Sequence, residues 1–364
     1  MSLTKTMCGI LFPIMTMKTE QRRLPAEWEP QGAVMVAWPH ETTDWAYILP
    51  EVERCYDSLV RAIARHAVAV VVAPDTSGLR LRFQDLPADR ILFFDTPTND
   101  TWTRDYGVIT TLDTDGSPIL CDFGFNAWGG KFESRLDNGV TARMFDAGLL
   151  KGKYENNNDF ILEGGSIESD GHGTVLTTES CLLTPTRNPE MSRGDIEKRL
   201  ADALGVRKLL WLGSGAMMGD DTDGHIDTLA RLAPDNTILY TGPGQNEDNK
   251  RQNEALEGIL SELQGMTNAD GEPFNLIELP CPDPIHDPED GHQLPATYAN
   301  FLVINDAVLM PVYGQPMNDL RAEMTLKVAF PNHEIERIDC RPLIRQHGSL
   351  HCATMQLPNT VLPI

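Results

Sequence analysis

Apolar residues along this chain recur at helical and strand spacing in alternating segments. From Leu49 to His66 they return every three or four positions, which predicts an amphipathic helix. The run Ala67–Ala73 that follows is continuously apolar and is closed by Pro74, which predicts a buried strand. A helix that leads directly into a buried strand is typical of an α/β fold.

The same alternation continues along the chain. Further strands are predicted at Ile91–Phe94, Lys208–Leu212, Phe274–Leu279 and Glu334–Ile338, and further helices at Glu197–Leu204, Arg251–Gln264 and Leu320–Ala329. The units repeat at roughly sixty residues, the kind of period expected of radial repeat folds. We therefore expect an α/β fold built from repeated units around a shared centre.

Four chemically reactive positions stand at similar intervals. Asp105, Glu163 and His225 are separated by 58 and 62 residues, and Cys352 lies 127 residues further on. Each stands where an apolar or extended stretch gives way to glycine-containing chain. If each unit delivers one loop to a common axis, these four side chains share a central site.

The charge of the chain narrows the classes of ligand. It has 53 acidic and 30 basic residues, a formal net charge of −23. Such a surface repels phosphate backbones and anionic lipids, so nucleic acid and membranes are not expected partners. A small cationic substrate is favoured.

The seven cysteines are scattered, and none forms a CxxC motif. This spacing argues against a disulfide framework or zinc ribbon and favours a reducing, cytoplasmic location. No apolar run approaches the ~20 residues of a membrane span. Met7–Met17 is apolar but is interrupted by Pro13. We interpret residues 1–20 as a mobile leader or cloning remnant, and residues 21–364 as one catalytic domain.

The candidate residues together form an inventory suited to one chemistry. Cys352 could act as a nucleophile and His225 as a proton shuttle, and in an extended strand Asp227 would share the face of His225. A planar guanidinium is held well by paired carboxylates such as Asp105 and Asp227 beneath an aromatic lid. The same residue types are also acceptable metal ligands, although their separations match neither a closed zinc motif nor an EF-hand.

Several motifs, in order along almost the whole chain, carry a resemblance to a known family. The chain resembles the agmatine deiminases of the guanidino-group-modifying superfamily at Arg23–Gln31, Ala37–Pro39, Trp102–Asp105, Phe125–Gly130, Leu162–Ser166, Gly224–Asp227, Tyr298–Phe301, Pro311–Gly314 and His351-Cys352. It departs from many members at His347–Leu350, where they have Gly-Gly-Gly-Asn. The resemblance implies the pentein fold, a five-bladed α/β propeller with pseudo-fivefold repeats around a central active site.

The resemblance also implies a role for each motif residue. Cys352 would be the nucleophile and His225 the general acid and base, while Asp105 and Asp227 grip the guanidinium. Glu163 would orient His225, and Trp102 would line the pocket. Agmatine would be hydrolysed through a covalent S-alkylthiouronium to N-carbamoylputrescine, a precursor of putrescine in polyamine biosynthesis, with neither metal nor organic cofactor.

Recognition of the substrate tail is less determined by the sequence. A terminal ammonium would need negative charge on the far wall of the pocket, and Asp221 and Asp223 beside His225 are the candidates. Alternatives are a peptidylarginine or arginine deiminase, a non-catalytic guanidine-binding protein, and, less favoured, a metallohydrolase. A homo-oligomer is left open.

Overall fold

The computed structural model describes residues 22–363 of the 364-residue chain. The leader predicted at residues 1–20 lies outside the described residues and stays a prediction. Within residues 22–363, no helix is both long and apolar enough to cross a bilayer.

The strands are short and are grouped into five principal sheets. In chain order they are β1 (Gln31–Ala37), β2 (Val68–Ala73), β3 (Ile91–Asp95), β4 (Ile109–Leu112), β5 (Pro118–Gly124), β6 (Lys153–Ile161), β7 (Ile167–Ser169), β8 (Thr174–Thr178), β9 (Lys208–Leu212), β10 (Ala230–Ala233), β11 (Thr237–Thr241), β12 (Asn275–Leu279), β13 (Ile285–His286), β14 (Gln293–Leu294), β15 (Leu302–Ile304), β16 (Ala307–Val312), β17 (Glu334–Asp339) and β18 (Met355–Pro358).

All five sheets share one internal order. They run β18-β1-β2-β3, β4-β5-β6, β7-β8-β9, β10-β11-β12 and β15-β16-β17, and the pair β13-β14 stands apart. In each, the first two strands pair antiparallel and the next pair parallel. The first sheet is completed by the last strand of the chain, β18, and adds β3 as a further parallel strand.

Helices connect the parallel strands, because such strands need a crossover that returns the chain to the same end of the sheet. They are α1 (Leu49–His66), α2 (Ser77–Arg82), α3 (Thr103–Tyr106), α4 (Ala127–Gly130), α5 (Val140–Asp146), α6 (Glu179–Leu182), α7 (Arg193–Leu204), α8 (Lys250–Leu256), α9 (Ile259–Gln264) and α10 (Pro316–Ala329). All but α3 lie between parallel neighbours, and α3 joins the first sheet to the second.

The strongest hydrophobic patterns are confirmed. The α1 helix has the predicted bounds, and its apolar stripe is fully buried against the first sheet. All six residues of β2 are buried, as expected of a parallel strand covered on both faces. The β9 strand also has its predicted bounds, whereas α7 and α10 begin four residues earlier than the patterns indicated.

One predicted helix is divided. The pattern indicated a single helix over Arg251–Gln264, but α8 ends at Leu256 and α9 begins at Ile259. Gly258 between them has φ of +96°, a left-handed conformation that interrupts an α-helix. The apolar period continues across the break, which is why the pattern alone did not show it.

Candidate active site

The five connections between successive sheets carry the polar residues of the candidate site. The chain passes from the first sheet to the second through Trp102 and Asp105, and onward through Glu163, then His225 and Asp227, then Asn300. The last connection returns from the fifth sheet to β18 through His351 and Cys352. Each connection contributes at least one buried polar or thiol group.

Asp105 is fixed by two neutral donors. It lies in α3, a single turn, and is buried. The indole Nε1 of Trp128 donates to its Oδ2 at 2.9 Å, and the amide of Gly165 donates to its Oδ1 at 3.1 Å. Both carboxylate oxygens therefore have a fixed direction.

Gly165 allows three functional groups to converge. A Cβ at this position would lie 2.7 Å from Nδ1 of His225, 2.9 Å from Oδ1 of Asp105 and 3.2 Å from Oδ2 of Asp227. The absence of a side chain thus leaves room where one imidazole and two carboxylates face the same point. These side chains come from two connections, one carrying Asp105 and the other carrying His225 and Asp227.

The local conformation at His225 differs from the prediction. His225 is extended, but Ile226–Thr228 form a 3-10 turn rather than a strand. The expectation that His225 and Asp227 share a strand face was therefore wrong. Both side chains nevertheless reach the point above Gly165.

His225 and Glu163 are fully buried and incompletely paired. Neither ring nitrogen of His225, nor Oε2 of Glu163, has a hydrogen-bond partner within residues 22–363. The other oxygen of Glu163 accepts from Nε of Arg187 at 2.7 Å. Burial opposes charge on His225, but Asp105, Cys181 and Glu163 beside it raise its pKa well above the usual value. The imidazole is therefore set up to be protonated at neutral pH.

The thiol of Cys352 lies beside the converging carboxylates. Its Sγ accepts from Nδ2 of Asn300 at 3.3 Å and donates to Oδ2 of Asp227 at 3.7 Å. Burial first, and then the charges of Asp227 and Asp105, raise the pKa of this thiol well above its usual value. In the free protein Cys352 is thus held as a thiol.

The neighbouring histidine, His351, has a different environment. Its Nδ1 lies 2.7 Å from Oδ2 of Asp227, and its Nε2 lies 2.7 Å from Oε2 of Glu27. Both ring nitrogens therefore lie within hydrogen-bonding distance of a carboxylate. Arg231 reaches the same oxygen of Glu27 at 3.0 Å and also binds Glu168 at 2.5 Å. Arg231, Glu27, Glu168 and His351 thus form a buried network, and the hydrogen bond from His351 holds Asp227 in place.

The two carboxylates beside Cys352, those of Asp105 and Asp227, therefore have pKa values shifted in opposite directions. Burial raises the pKa of Asp105 to about 6; His225 lowers it, while Asp227 and Glu163 raise it. Burial also acts to raise the pKa of Asp227, but the hydrogen bond and charge of His351 hold it below the usual value. Asp227 stays charged over the physiological range, whereas Asp105 can take up a proton in mildly acidic solution.

A narrow pocket leads from the surface to Cys352. Its lining includes Asp105 together with the aromatic side chains Trp102, Trp128 and Phe132. Trp102 packs directly over Gly348, where a Cβ would lie 2.3 Å from the indole ring. Trp102, which was predicted to line the pocket, therefore packs against His347–Leu350, the segment whose sequence departs from the family pattern. A side chain at position 348 would displace the indole ring.

Three further acids, Asp44, Asp100 and Asp221, also line this pocket. Asp221, a sequence candidate, is paired with Nζ of Lys131 at 2.8 Å. The other candidate, Asp223, is held by Arg187 at 2.6 Å and lies 3.4 Å from Lys131. No salt bridge joins Asp44 or Asp100 to a cation within residues 22–363. Burial and the nearby Asp44 raise the pKa of Asp100 to about 7, although the Thr101 amide lowers it.

Several of these residues were not assigned a function from the sequence. Trp128 and Asn300 lie inside motifs that carried the resemblance, which was the available signal. Asp44, Asp100 and Arg187 lie outside such motifs, and nothing local to them indicates a pocket. Cys181 had no role assigned from the sequence, and its thiol lies within 4.8 Å of ligand atoms of His225 and Glu163.

Comparison with known proteins gives one consistent family. Residues 23–358 match the sequence model of the Porphyromonas-type peptidyl-arginine deiminases. An agmatine deiminase of Pseudomonas aeruginosa is 32% identical over 95% of this chain and 98% of its own. A Porphyromonas gingivalis structure described as a candidate arginine deiminase is 45% identical, with a TM-score of 0.87 over 94% of this chain and 100% of that one. A substrate-bound cysteine-to-serine variant of C. jejuni agmatine deiminase is 37% identical, with a TM-score of 0.83 over 92% and 96%.

Proposed function

This chain belongs to the Porphyromonas-type peptidyl-arginine deiminase family, and from that premise we propose that it hydrolyses agmatine to N-carbamoylputrescine and ammonia. One observation carries the chemistry. Above Gly165, an imidazole nitrogen and two carboxylate oxygens converge within 3.2 Å of one point, and the thiol of Cys352 lies 3.7 Å from one of those oxygens. This is the set of groups needed to hold a guanidinium and attack its carbon.

The positive charge of the substrate favours deprotonation of the Cys352 thiol. The same carboxylates that disfavour a thiolate in the free protein are neutralised when a guanidinium binds between them. One cation enters and the thiol proton leaves to solvent. The thiolate of Cys352 then forms a bond to the guanidinium carbon.

His225 moves the protons of both half-reactions. As an imidazolium it protonates the departing nitrogen. The C–N bond then breaks, ammonia is released, and an S-alkylthiouronium remains on Cys352. The neutral ring then accepts a proton from water, whose oxygen attacks the same carbon. The C–S bond breaks, the remaining proton of the added hydroxyl leaves to solvent, the ureido product is released, and the thiolate is restored. Glu163, held by Arg187, orients His225 through both steps.

The pocket lining supports agmatine over free arginine. The lining contains no lysine or arginine among the described residues, so a substrate carboxylate would lack a charged partner. We propose that the acidic wall, Asp44, Asp100 and Asp221, receives the terminal ammonium of agmatine. Asp100 and Asp44 carry most of this interaction, because Lys131 already offsets Asp221 and Arg187 offsets Asp223.

The architecture supports the finer assignments as well. We propose the pentein arrangement, five blades around the site, because five sheets of equal internal order each send one connection to it. Residues 21–364 would then form one catalytic domain. The described cysteines are free thiols, which supports a reducing, cytoplasmic location.

Side-by-side turnover tests the function. Agmatine, free arginine and an arginyl peptide are incubated with the enzyme, and ureido product is measured for each. We expect agmatine to be preferred over arginine by at least ~100-fold in kcat/KM, because a carboxylate against the acidic wall is repelled. Turnover of the peptide above agmatine would replace the proposal with a peptidylarginine deiminase.

Two cysteine variants separate catalysis from binding. Cys352→Ala should abolish product while still binding agmatine, and Cys281→Ala, at a buried cysteine away from the pocket, should keep the activity. A Cys352→Ala enzyme with a tenth of the wild-type rate would exclude the covalent route. Chelator-sensitive activity would instead support a metallohydrolase.

A further inference from the structure

Cys181 is a buried thiol beside the proposed proton-transfer histidine, and the proposed reaction does not use it. It lies in α6, where its amide binds the Thr178 hydroxyl at 3.3 Å. One ligand atom each from Cys181, His225 and Glu163 lies within 4.8 Å of the other two, and all three side chains have no exposed surface. This places a sulfur, a nitrogen and an oxygen at one point, the donor set that Zn²⁺ accepts.

The spacing is near that of a zinc site. Zinc bonds of about 2.0–2.3 Å put neighbouring ligand atoms of a tetrahedral site roughly 3.3–3.8 Å apart. Because the ligand atoms are at most 4.8 Å apart, each separation needs to shorten by at most about 1.0–1.5 Å, which is less than about 1 Å of movement for each atom. Such shifts are available because the relevant atoms are not held elsewhere. Oε2 of Glu163 and both ring nitrogens of His225 have no hydrogen-bond partner in the described part of the chain.

The two other clusters of similar residue types are less suitable. In the group Glu27, Glu168 and His351, Glu27 is bound to His351, and Arg231 binds both glutamates. The surface group at His66 pairs that ring with Asp306 and Glu336, both at hydrogen-bonding distance. Free ligand atoms and a thiol occur together in the cluster at Cys181.

Electrostatics also favour a cation here. The charges of Asp105, Asp227 and Glu163 act on His225, and Arg187 opposes them as the ion-pair partner of Glu163. The arrangement that attracts a guanidinium attracts Zn²⁺ as well, and a thiolate ligand selects thiophilic metals over magnesium or calcium. Binding would release the protons of Cys181 and His225.

We propose that Cys181, His225 and Glu163 form an inhibitory site for Zn²⁺. With its nitrogen bound to the metal, His225 can neither protonate the departing ammonia nor accept a proton from water. The inhibition rests on the proposed deiminase activity, whereas the metal site does not. Zinc would thus stop the enzyme without occupying the nucleophile, Cys352.

Metal binding is measured without turnover in full-length Cys352→Ser, which removes the competing thiol. Zn²⁺ is titrated against a chromophoric chelator, and we expect one tight site per chain. Cys181→Ser in this background should weaken binding by more than about 100-fold, beyond the effect typical of residues outside the first coordination sphere. Cys281→Ser, a matched buried cysteine, should leave the affinity unchanged.

Other results overturn the proposal. Equal affinity with and without Cys181 would place the metal at other residues, and no binding by Cys352→Ser would place it on the nucleophile or nowhere. X-ray absorption of zinc-loaded Cys352→Ser gives a readout that does not depend on folding of the Cys181 variant: one sulfur at about 2.3 Å is expected, and none would exclude the site. Failure of the deiminase proposal itself would appear separately, as no turnover of agmatine in zinc-free buffer.

Discussion

The indole Nε1 of Trp128 donates a 2.9 Å hydrogen bond to Oδ2 of Asp105 from a backbone with φ of 54°. A bulky residue in this left-handed region is strained by roughly 1–2 kcal/mol. Packing against Phe125, with ring centroids 5.3 Å apart, and against Phe132, at 5.9 Å, holds it there. The strain is tolerated where it fixes the direction of a substrate-binding carboxylate.

Trp128→Phe removes this donor but keeps the aromatic packing. A hydrogen bond to a charged group contributes about 1.5–3 kcal/mol, so kcat/KM for agmatine should fall about 10- to 100-fold. Trp211→Phe is the matched control, because Nε1 of Trp211 also donates to a carboxylate, Glu197, at 2.8 Å but on the exposed surface. Equal small effects in both variants would show that Asp105 does not need the indole.

The pH dependence of kcat/KM should report Asp105. Its pKa is raised to about 6, and the charged form binds the guanidinium, so activity is retained above that pH and lost as the pH falls through it. Asp105→Asn should lower kcat/KM by at least ~30-fold and remove the part of the acidic limb near pH 6, leaving the part near pH 7 to which Asp100 contributes. An unchanged limb in Asp105→Asn would assign it to another group.

Asp227→Asn should change two properties of the site in opposite directions. Loss of its charge lowers the pKa of the Cys352 thiol, so alkylation of the free enzyme by iodoacetamide at pH 7.5 should be at least ~10-fold faster. Agmatine turnover should nevertheless fall at least ~30-fold in kcat/KM, since a buried cation loses a partner. Asp270→Asn, at an exposed ion pair, serves as the control. A parallel fall in both rates would contradict the proposed origin of the high thiol pKa.

The acidic wall can be examined one residue at a time. Asp100→Asn should raise KM for agmatine at least ~10-fold with little effect on arginine, which narrows the preference between them. Asp221→Asn should have a smaller effect because Lys131 already offsets its charge. A larger effect from Asp221→Asn would show that Asp221, a candidate from the sequence, is the main partner of the terminal ammonium.

Arg231 is expected to matter for stability. It is almost completely buried, binds Glu27 and Glu168, and stacks on Phe301 at 4.4 Å. Arg231→Met would leave two buried carboxylates without their shared cation and should lower the free energy of unfolding by about 3–5 kcal/mol in urea denaturation. Arg207→Met, at an exposed pair with Asp270, should cost at most about 1 kcal/mol. Similar losses in both variants would contradict a structural role for the buried network.

The features predicted correctly depend on short-range patterns. The α1 helix and the β2 strand follow from apolar spacing within one segment. The intervals between Asp105, Glu163, His225 and Cys352 indicated a shared site, and the roles of these residues stay predictions. The remaining features depend on partners far along the chain. Arg187 supports Glu163 across 24 residues and His351 meets Glu27 across 324, and no local pattern encodes either contact. The prediction for the segment after His225 was wrong for a related reason, because its sequence is compatible with both a 3-10 turn and an extended strand.

The β18 strand, which completes the first sheet against β1, begins three residues after Cys352. Cys352 and β18 are synthesised after every other residue of the proposed site. A nascent chain can therefore already contain the carboxylates and His225 while it still lacks the thiol and leaves one edge of β1 unpaired. The order of translation thus adds the nucleophile after every other group of the proposed site, and a chain that stops before Cys352 would contain the binding carboxylates without the thiol.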